Sequence, residues 1–349
     1  MNKRNKIFLG MALAAAMLPM AACTDDVPQT VRLNIATEGS NSKLLFNNRY
    51  TYFQLGDGIA INDQQYTLAN DGNGGKHWAD VQLPINGNSF VAFFPRTFQS
   101  HDIGTYTASS TEDGHITKTV QVNFPRVYNC NIFSYDGEAG VDIPMVALAK
   151  TTDNQLYFRH AGAVIGLTIN SDLPSSGYNA LRVDSISVYG TGCKLSGPRD
   201  VTITDGESGT ISVANAVNPT LGNYHVSCHF GNSGSPGIYP SGNTNGRPSA
   251  ITIPIPVAPS NNPGALTFTV YAKWQHYNGS QWEWVPVVKY FSSHVYALAR
   301  NRYYTRSITI TVDGNTDPDP NPDPNPNPNP DPGESNLSIE DHTPWGNLW

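Results

Sequence analysis

Apolar side chains in this chain recur at every second position, in short runs broken by clusters of Gly, Asn, Asp and Pro, and almost never at the spacing of a helix. That alternation suits strands with at least one buried face. Val31, Leu33 and Ile35 alternate with polar residues, residues 59–61 follow a Gly56-Asp57-Gly58 turn, and residues 90–94 stop at Pro95. Ala163, Ile165, Leu167 and Ile169 occupy one face of another run. Similar runs follow at 183–189, 201–203, 251–255, 266–274, 282–290 and 303–312. The expected class is all-β, and strands at this spacing point to sandwiches. Asn278-Gly279, between two long runs, marks a hairpin because both residues tolerate the positive φ of a tight primed turn. The stretch 136–153 is the expected connection between two sandwiches.

Turn chemistry is abundant: the 349 residues include 31 glycines and 26 prolines. At this length the chain can bury substantial cores without a disulfide or metal staple, and four cysteines are too few for a disulfide-built scaffold. A net charge of -7 with 21 Lys and Arg leaves no basic surplus for neutralising phosphates, so no nucleic-acid partner is expected. After Val312 the composition breaks. Proline occupies every second position from Pro318 to Pro332, which no packed strand tolerates, so 314–334 is an extended spacer. At about 3.1 Å per residue, its roughly 16 tightly Pro-spaced residues reach about 50 Å. Beyond it, 335–349 carries Leu337, Ile339, Trp345, Leu348 and Trp349, an apolar set that suits a docking segment.

At the other end, Lys3, Arg4 and Lys6 precede an apolar stretch, 7–20, too short to span a bilayer as a mature helix. Residues 1–22 are therefore expected to be an export signal. The signal closes on Met20-Ala21-Ala22-Cys23, which resembles a bacterial lipobox with Met20 where Leu is usual; Cys23 is then the lipidation site. Thr24-Asp25-Asp26 resembles the acidic signal that sends Bacteroidetes lipoproteins to the outer face of the outer membrane. With Cys23 lipidated, Cys130, Cys193 and Cys228 remain, and at most one bridge can form among them within the chain.

Groups with the makings of a chemical site are few. His225, Cys228 and His229 have a metal-like spacing, but strand alternation puts Cys228 on the face opposite the two imidazoles, so no metal site is expected. Asp71-Gly72-Asn73-Gly74-Gly75-Lys76 looks like a phosphate loop, yet no Ser or Thr follows Lys76, and a surface hairpin loop is expected. No carboxylate pair or serine elbow stands out, so neither an enzyme activity nor a cofactor is expected. Trp274, Tyr277, Trp282 and Trp284 could form a sugar-stacking platform, but Trp282, Trp284 and Val288 share a face, and core packing is the favoured assignment.

Several segments, in order, resemble the fimbrillin-like (FimA/Mfa-type) pilins and pilus-associated lipoproteins of Bacteroidetes. They are Arg49-Tyr50-Thr51 ahead of Gly56-Asp57-Gly58-Ile59, then Trp78, then Phe90-Val91-Ala92-Phe93-Phe94-Pro95. Phe158-x-His160-x-x-Ala163-x-Ile165-x-Leu167-x-Ile169 and Leu298-Ala299-Arg300-Asn301-Arg302-Tyr303-Tyr304 follow. The resemblance implies two tandem β-sandwich (transthyretin-like) domains, 23–147 and 148–313, with a Pro-rich C-terminal extension. It also implies a surface-exposed lipoprotein of the outer membrane, a structural or adhesive fimbrial subunit whose partners are other fimbrial subunits and host or bacterial surface ligands. Assembly in such proteins begins when an Arg-directed protease removes the first strand. Here that strand is 31–37, with Val31, Leu33 and Ile35, and the processing position is Arg49. Another subunit's strand then fills the groove; the donor residues here are Leu337, Ile339 and Trp345. The spacer separates them from the last core strand, which leaves shaft, tip and accessory roles open. A glycan-binding surface lipoprotein built on the Trp274–Trp284 aromatics is the alternative.

Overall fold

The computed structural model describes residues 30–31, 33–37, 57–62, 64–70, 76–78, 81–82, 89–95, 109–110, 114–132, 139–153, 155–171, 181–214, 224–230, 237–238, 250–261, 264–295, 297–311 and 338–339. These residues are almost entirely strand, arranged in four large sheets and one small ribbon, and the fold is an all-β sandwich architecture.

Sheet I has seven strands in the order Asn34–Thr37, Gln155–His160, Met145–Lys150, Ser89–Phe94, Gly58–Ile61, Gln64–Asn70, Lys76–Trp78. Its central strands are apolar at consecutive positions because both faces are buried. Val91, Phe93, Val146 and Leu148 point to four-stranded sheet II, where Ile116, Val120, Val122, Phe124, Val201 and Ile203 meet them. Ile59, Ile61, Phe90, Phe94, Met145, Leu156 and Phe158 form a second core on the opposite face. The strand Met145–Lys150 runs through the stretch expected to be a connection. Its unbroken run Met145-Val146-Ala147-Leu148-Ala149 has no period of two, which is why alternation alone passes over it.

Sheet II comprises Ile211–Val213, Gly197–Thr204, Ile116–Phe124 and Ser109–Ser110. Sheet III comprises Ala139–Gly140, Val127–Ile132, His225–Phe230, Leu181–Thr191, Gly264–Tyr277 and Trp282–Val295, with Gly237–Ile238 added on Leu181–Thr191. Both therefore draw strands from either side of residues 147 and 148. The chain passes from sheet II into sheet III at Pro125-Arg126 and returns between Thr191 and Gly197. Hydrogen bonds fasten this crossing: the Ser227 N–H donates to Arg126 O at 2.8 Å, and Ser196 Oγ donates to His225 O at 3.0 Å. The Arg199 side chain, buried beside the crossing, donates to the carbonyls of Lys194, Ser196 and Pro198 at 2.9–3.0 Å. Burial pushes its pKa down to about 10.

Sheet III packs on sheet IV, ordered Ala250–Val257, Ala163–Ser171, Tyr303–Ile310, Ser338–Ile339. Ile186, Val188, Val226, Cys228, Phe268 and Val270 on one side meet Ile165, Leu167, Ile169, Ile253, Ile255 and Ile308 on the other. At about 1.5–3 kcal/mol per large side chain, such burial is the main force holding the sheets together. Two of the resembling segments are neighbours here. Ala163–Ser171 runs parallel to Tyr303–Ile310, the Asn301 N–H donates to Gly162 O at 2.8 Å, and the Val164 N–H donates to Arg302 O at 3.0 Å. Arg300 reaches back to the first sandwich, donating to His160 O at 3.1 Å and Ile211 O at 3.2 Å.

Candidate interaction surfaces

Of the residues singled out in sequence, Cys23, Arg49, Leu337 and Trp345 lie outside the described residues. The expected first strand is divided. Thr30–Val31 pairs antiparallel with Val81–Gln82, whereas Asn34–Thr37 pairs parallel with Gln155 to Phe158. Residues 31–37 therefore do not form one strand: the segment changes partners on either side of Leu33, as strands at sandwich corners do. Leu33 is 5% exposed and packs with half-buried Ile35 into the core of sheet I, the same-face spacing read from sequence. Asn34–Thr37 ends the strand order of sheet I and has Gln155–His160 as its neighbour on one side.

Sheet IV ends in a similar way. Ser338–Ile339, from beyond the Pro-rich spacer, pairs antiparallel with Tyr304 and Thr305 of the same chain. The segment expected to donate a strand to another subunit thus has a short pairing site in cis.

A third surface corrects an expectation. Trp282 and Trp284 do share a face with Val288, but it is the outward face of sheet III: the two are 42% and 45% exposed. Val287 and Phe291, one residue out of phase, pack on the core, as does Trp274. Because Trp282–Val295 is apolar on both faces, alternation gives no parity, and the sequence assignment of Trp282 and Trp284 to the core is wrong, whereas that of Trp274 agrees with the structure. The hairpin itself is present, with Tyr277 opposite Trp282. Its turn holds four residues rather than two: Gly279 has φ 95°, and Asn278 Oδ1 accepts from the Ser280 and Gln281 N–H groups at 3.1 and 3.0 Å. Asn278 thus acts through its side chain.

Around these tryptophans the outward face is ordered by side-chain contacts. The Tyr277 and Trp282 rings are 5.3 Å apart, centroid to centroid. The Arg182 guanidinium lies 5.9 Å over the Trp284 ring, its Nε is 3.1 Å from Asp184 Oδ1, and Lys273 Nζ is 3.2 Å from Asp184 Oδ2. Sequence reasoning had no means of finding Arg182, Asp184 and Lys273, which come together only when Leu181–Thr191 pairs with Gly264–Tyr277.

On the neighbouring strand His225–Phe230, Val226, Cys228 and Phe230 enter the core while His229 is exposed, as alternation indicates. Cys130 and Cys228 are buried free thiols on adjacent parallel strands. A hydrogen bond with Cys130, burial and the charge interaction with Cys130 together hold the Cys228 pKa well above its ordinary value. Among the described residues, no three His, Cys, Asp or Glu side chains gather as metal ligands do.

No family model matches the chain, and no curated protein matches it. Among solved structures, a fimbrial protein from Bacteroides vulgatus is similar at 13% identity and a TM-score of 0.37, covering 81% of this chain and 95% of that one. A candidate cell adhesion protein from Bacteroides ovatus is similar at 14% identity and a TM-score of 0.36, covering 81% and 92%. Another from Bacteroides fragilis stands at 11% identity and a TM-score of 0.36, covering 82% and 95%.

Proposed function

We propose that this chain is an exported, lipid-anchored surface protein that serves as a structural or adhesive subunit of a pilus and assembles by strand exchange. The observation that carries this reading is the edge position of Asn34–Thr37. Its removal leaves the sheet otherwise continuous, uncovers the backbone donors and acceptors of Gln155–His160, and vacates the place of Leu33 in the apolar core. A strand from another subunit satisfies all of these groups at once.

Cys23 is the anchor and Arg49 the cut that releases the first strand; both assignments follow the sequence resemblance. Ile339, with Leu337 and Trp345, is the donor. In the free subunit its pairing with Tyr304 holds the tail in cis until a partner groove becomes available. The partners are other pilus subunits and the outer membrane, reached through the lipid.

Mass spectrometry of the protein released from its own cell surface tests the reading. Polymers should consist of subunits beginning at Tyr50, and Cys23→Ala should abolish lipid labelling. Polymers whose subunits all begin at Cys23 would reject exchange of the first strand.

A further inference from the structure

All seven exposed large apolar side chains among the described residues, Val127, Tyr189, Tyr271, Tyr277, Trp282, Trp284 and Tyr290, stand on strands of one sheet, sheet III. Their neighbours place six of them on the hairpin and the strand beside it, opposite the side that packs on sheet IV. Scattered exposed apolar residues are normal on a protein surface; a group confined to one face is the mark of an interaction site. The group is aromatic rather than aliphatic, and its rings end in hydroxyl or indole N–H groups, as suits a partner that offers both C–H surface and polar groups.

Charge narrows the partner. Among the described side chains of Leu181–Thr191, Gly264–Tyr277 and Trp282–Val295, strand alternation puts the charges of Arg182, Lys273 and Asp184 on the outward side, whereas exposed Glu283 has the opposite parity and accepts from Asn278 Nδ2 at 3.3 Å. The outward three leave one net positive charge on a chain whose total is -7. Asp184 engages one edge of Arg182 and one proton of Lys273, so both cations keep further donors available and are held in place beside Trp284. Trp282 and Trp284, two residues apart on one strand, are separated by about 7 Å along it, so each indole can meet its own unit of an extended chain.

We infer that the Trp282–Trp284 face of sheet III binds an acidic polysaccharide, with sugar rings against Trp282, Trp284 and Tyr277 and a carboxylate or sulfate on Lys273 and Arg182. The guanidinium fork and the ammonium take the anion by charge-assisted hydrogen bonds. The Arg182 guanidinium over Trp284 steadies an indole that is 45% exposed and so accessible to a sugar. This inference holds for a pilus subunit and for any other exported protein alike.

Affinity electrophoresis of the purified full-length protein in gels containing hyaluronan, chondroitin sulfate, polygalacturonate or neutral dextran tests it, with sedimentation velocity alongside. At least one acidic polymer should retard the protein, and dextran should not. Trp284→Ala should weaken retention at least tenfold, Lys273→Ala should weaken it several-fold and reduce its salt dependence, and Gln121→Ala, on exposed sheet II surface, should leave it unchanged. These side chains are exposed, so thermal melts should confirm that the variants fold. Absence of retardation by all three acidic polymers overturns the inference, as does retention that survives Trp282→Ala/Trp284→Ala. Equal retention by dextran, insensitive to Lys273→Ala, overturns the acidic assignment. A concentration-dependent dimer dissolved by Trp284→Ala assigns the face to a second copy of the chain instead.

Discussion

Gly166→Ala is expected to destabilise the second sandwich, because the Tyr303 ring lies directly over the glycine. Gly166 lies in Ala163–Ser171, paired with Pro254 on one side and Thr305 on the other. A Cβ at this position overlaps Oη and Cζ of Tyr303 and comes within 3.0 Å of Cε1, so the ring covers the glycine directly. Tyr303 packs against the core, and accommodating a methyl means swinging the ring off that surface. Overpacking of this kind costs about 1–3 kcal/mol, and the stiffer unfolded chain returns roughly 0.4–1 kcal/mol. The net loss is about 1–2 kcal/mol, a fall in melting temperature of roughly 2–8 °C for a unit of this size. Urea unfolding followed by circular dichroism measures it, and a double-mutant cycle identifies the cause. On a Tyr303→Ala background Gly166→Ala should be neutral or mildly stabilising, whereas on Tyr303→Phe the loss should persist, because Cζ and Cε1 remain. Equal losses on all three backgrounds would refute the argument.

Asp205 is 1% exposed and accepts from the Ile116 N–H at 2.9 Å, so Asp205→Ala should cost about 1–3 kcal/mol in urea unfolding and Asp205→Asn distinctly less. The Cys228 thiol, its pKa raised by Cys130 and burial, should resist iodoacetamide at pH 8 until the protein is denatured; modification at the rate of an exposed cysteine would contradict the buried pair. Burial first, then Arg126 and His229, lower the pKa of His225 below 6.5, so the unfolded chain takes up its proton first and stability falls as pH drops through 6.5 toward the lower folded value. His225→Gln should flatten that loss, and identical stability profiles between pH 7 and 5 would exclude His225 as a contributor.

Much of the second sandwich was legible because its strands bury one face. Ile165, Leu167 and Ile169 alternate in sequence and enter the core together. Legibility fails where burial is two-sided, as at Met145–Lys150, or where apolar residues occupy both faces of a strand, as at Trp282–Val295. It also fails for pairings between distant segments. Ile116–Phe124 joins Gly197–Thr204 through a ladder supported by Thr117–Thr204 and Thr119–Thr202 hydroxyl contacts at 2.9 and 2.8 Å. Nothing local marks those threonines as partners across some eighty residues. The Arg182-Asp184-Lys273 group was hidden for the same reason: strand pairing brings Lys273 opposite Arg182.

Two described pairings, one near each end of the chain, bear on the proposed assembly through their places in the sheets. Asn34–Thr37 ends sheet I and Ser338–Ile339 ends sheet IV, so either can leave without unthreading another strand. Their attachments differ in strength. Four residues of Asn34–Thr37 pair with Gln155 to Phe158, and Leu33 is anchored in the core, whereas two residues of the tail pair with Tyr304 and Thr305. Replacing a buried leucine with alanine typically costs about 2–5 kcal/mol, so spontaneous loss of the first strand is rare, and the proposed cut after Arg49 supplies its release. A two-residue pairing at the end of a long Pro-rich spacer opens far more readily. In the proposed strand exchange, that asymmetry gives the order of events: cutting the first strand is the committing step, and the weaker two-residue pairing in cis then gives way to the groove.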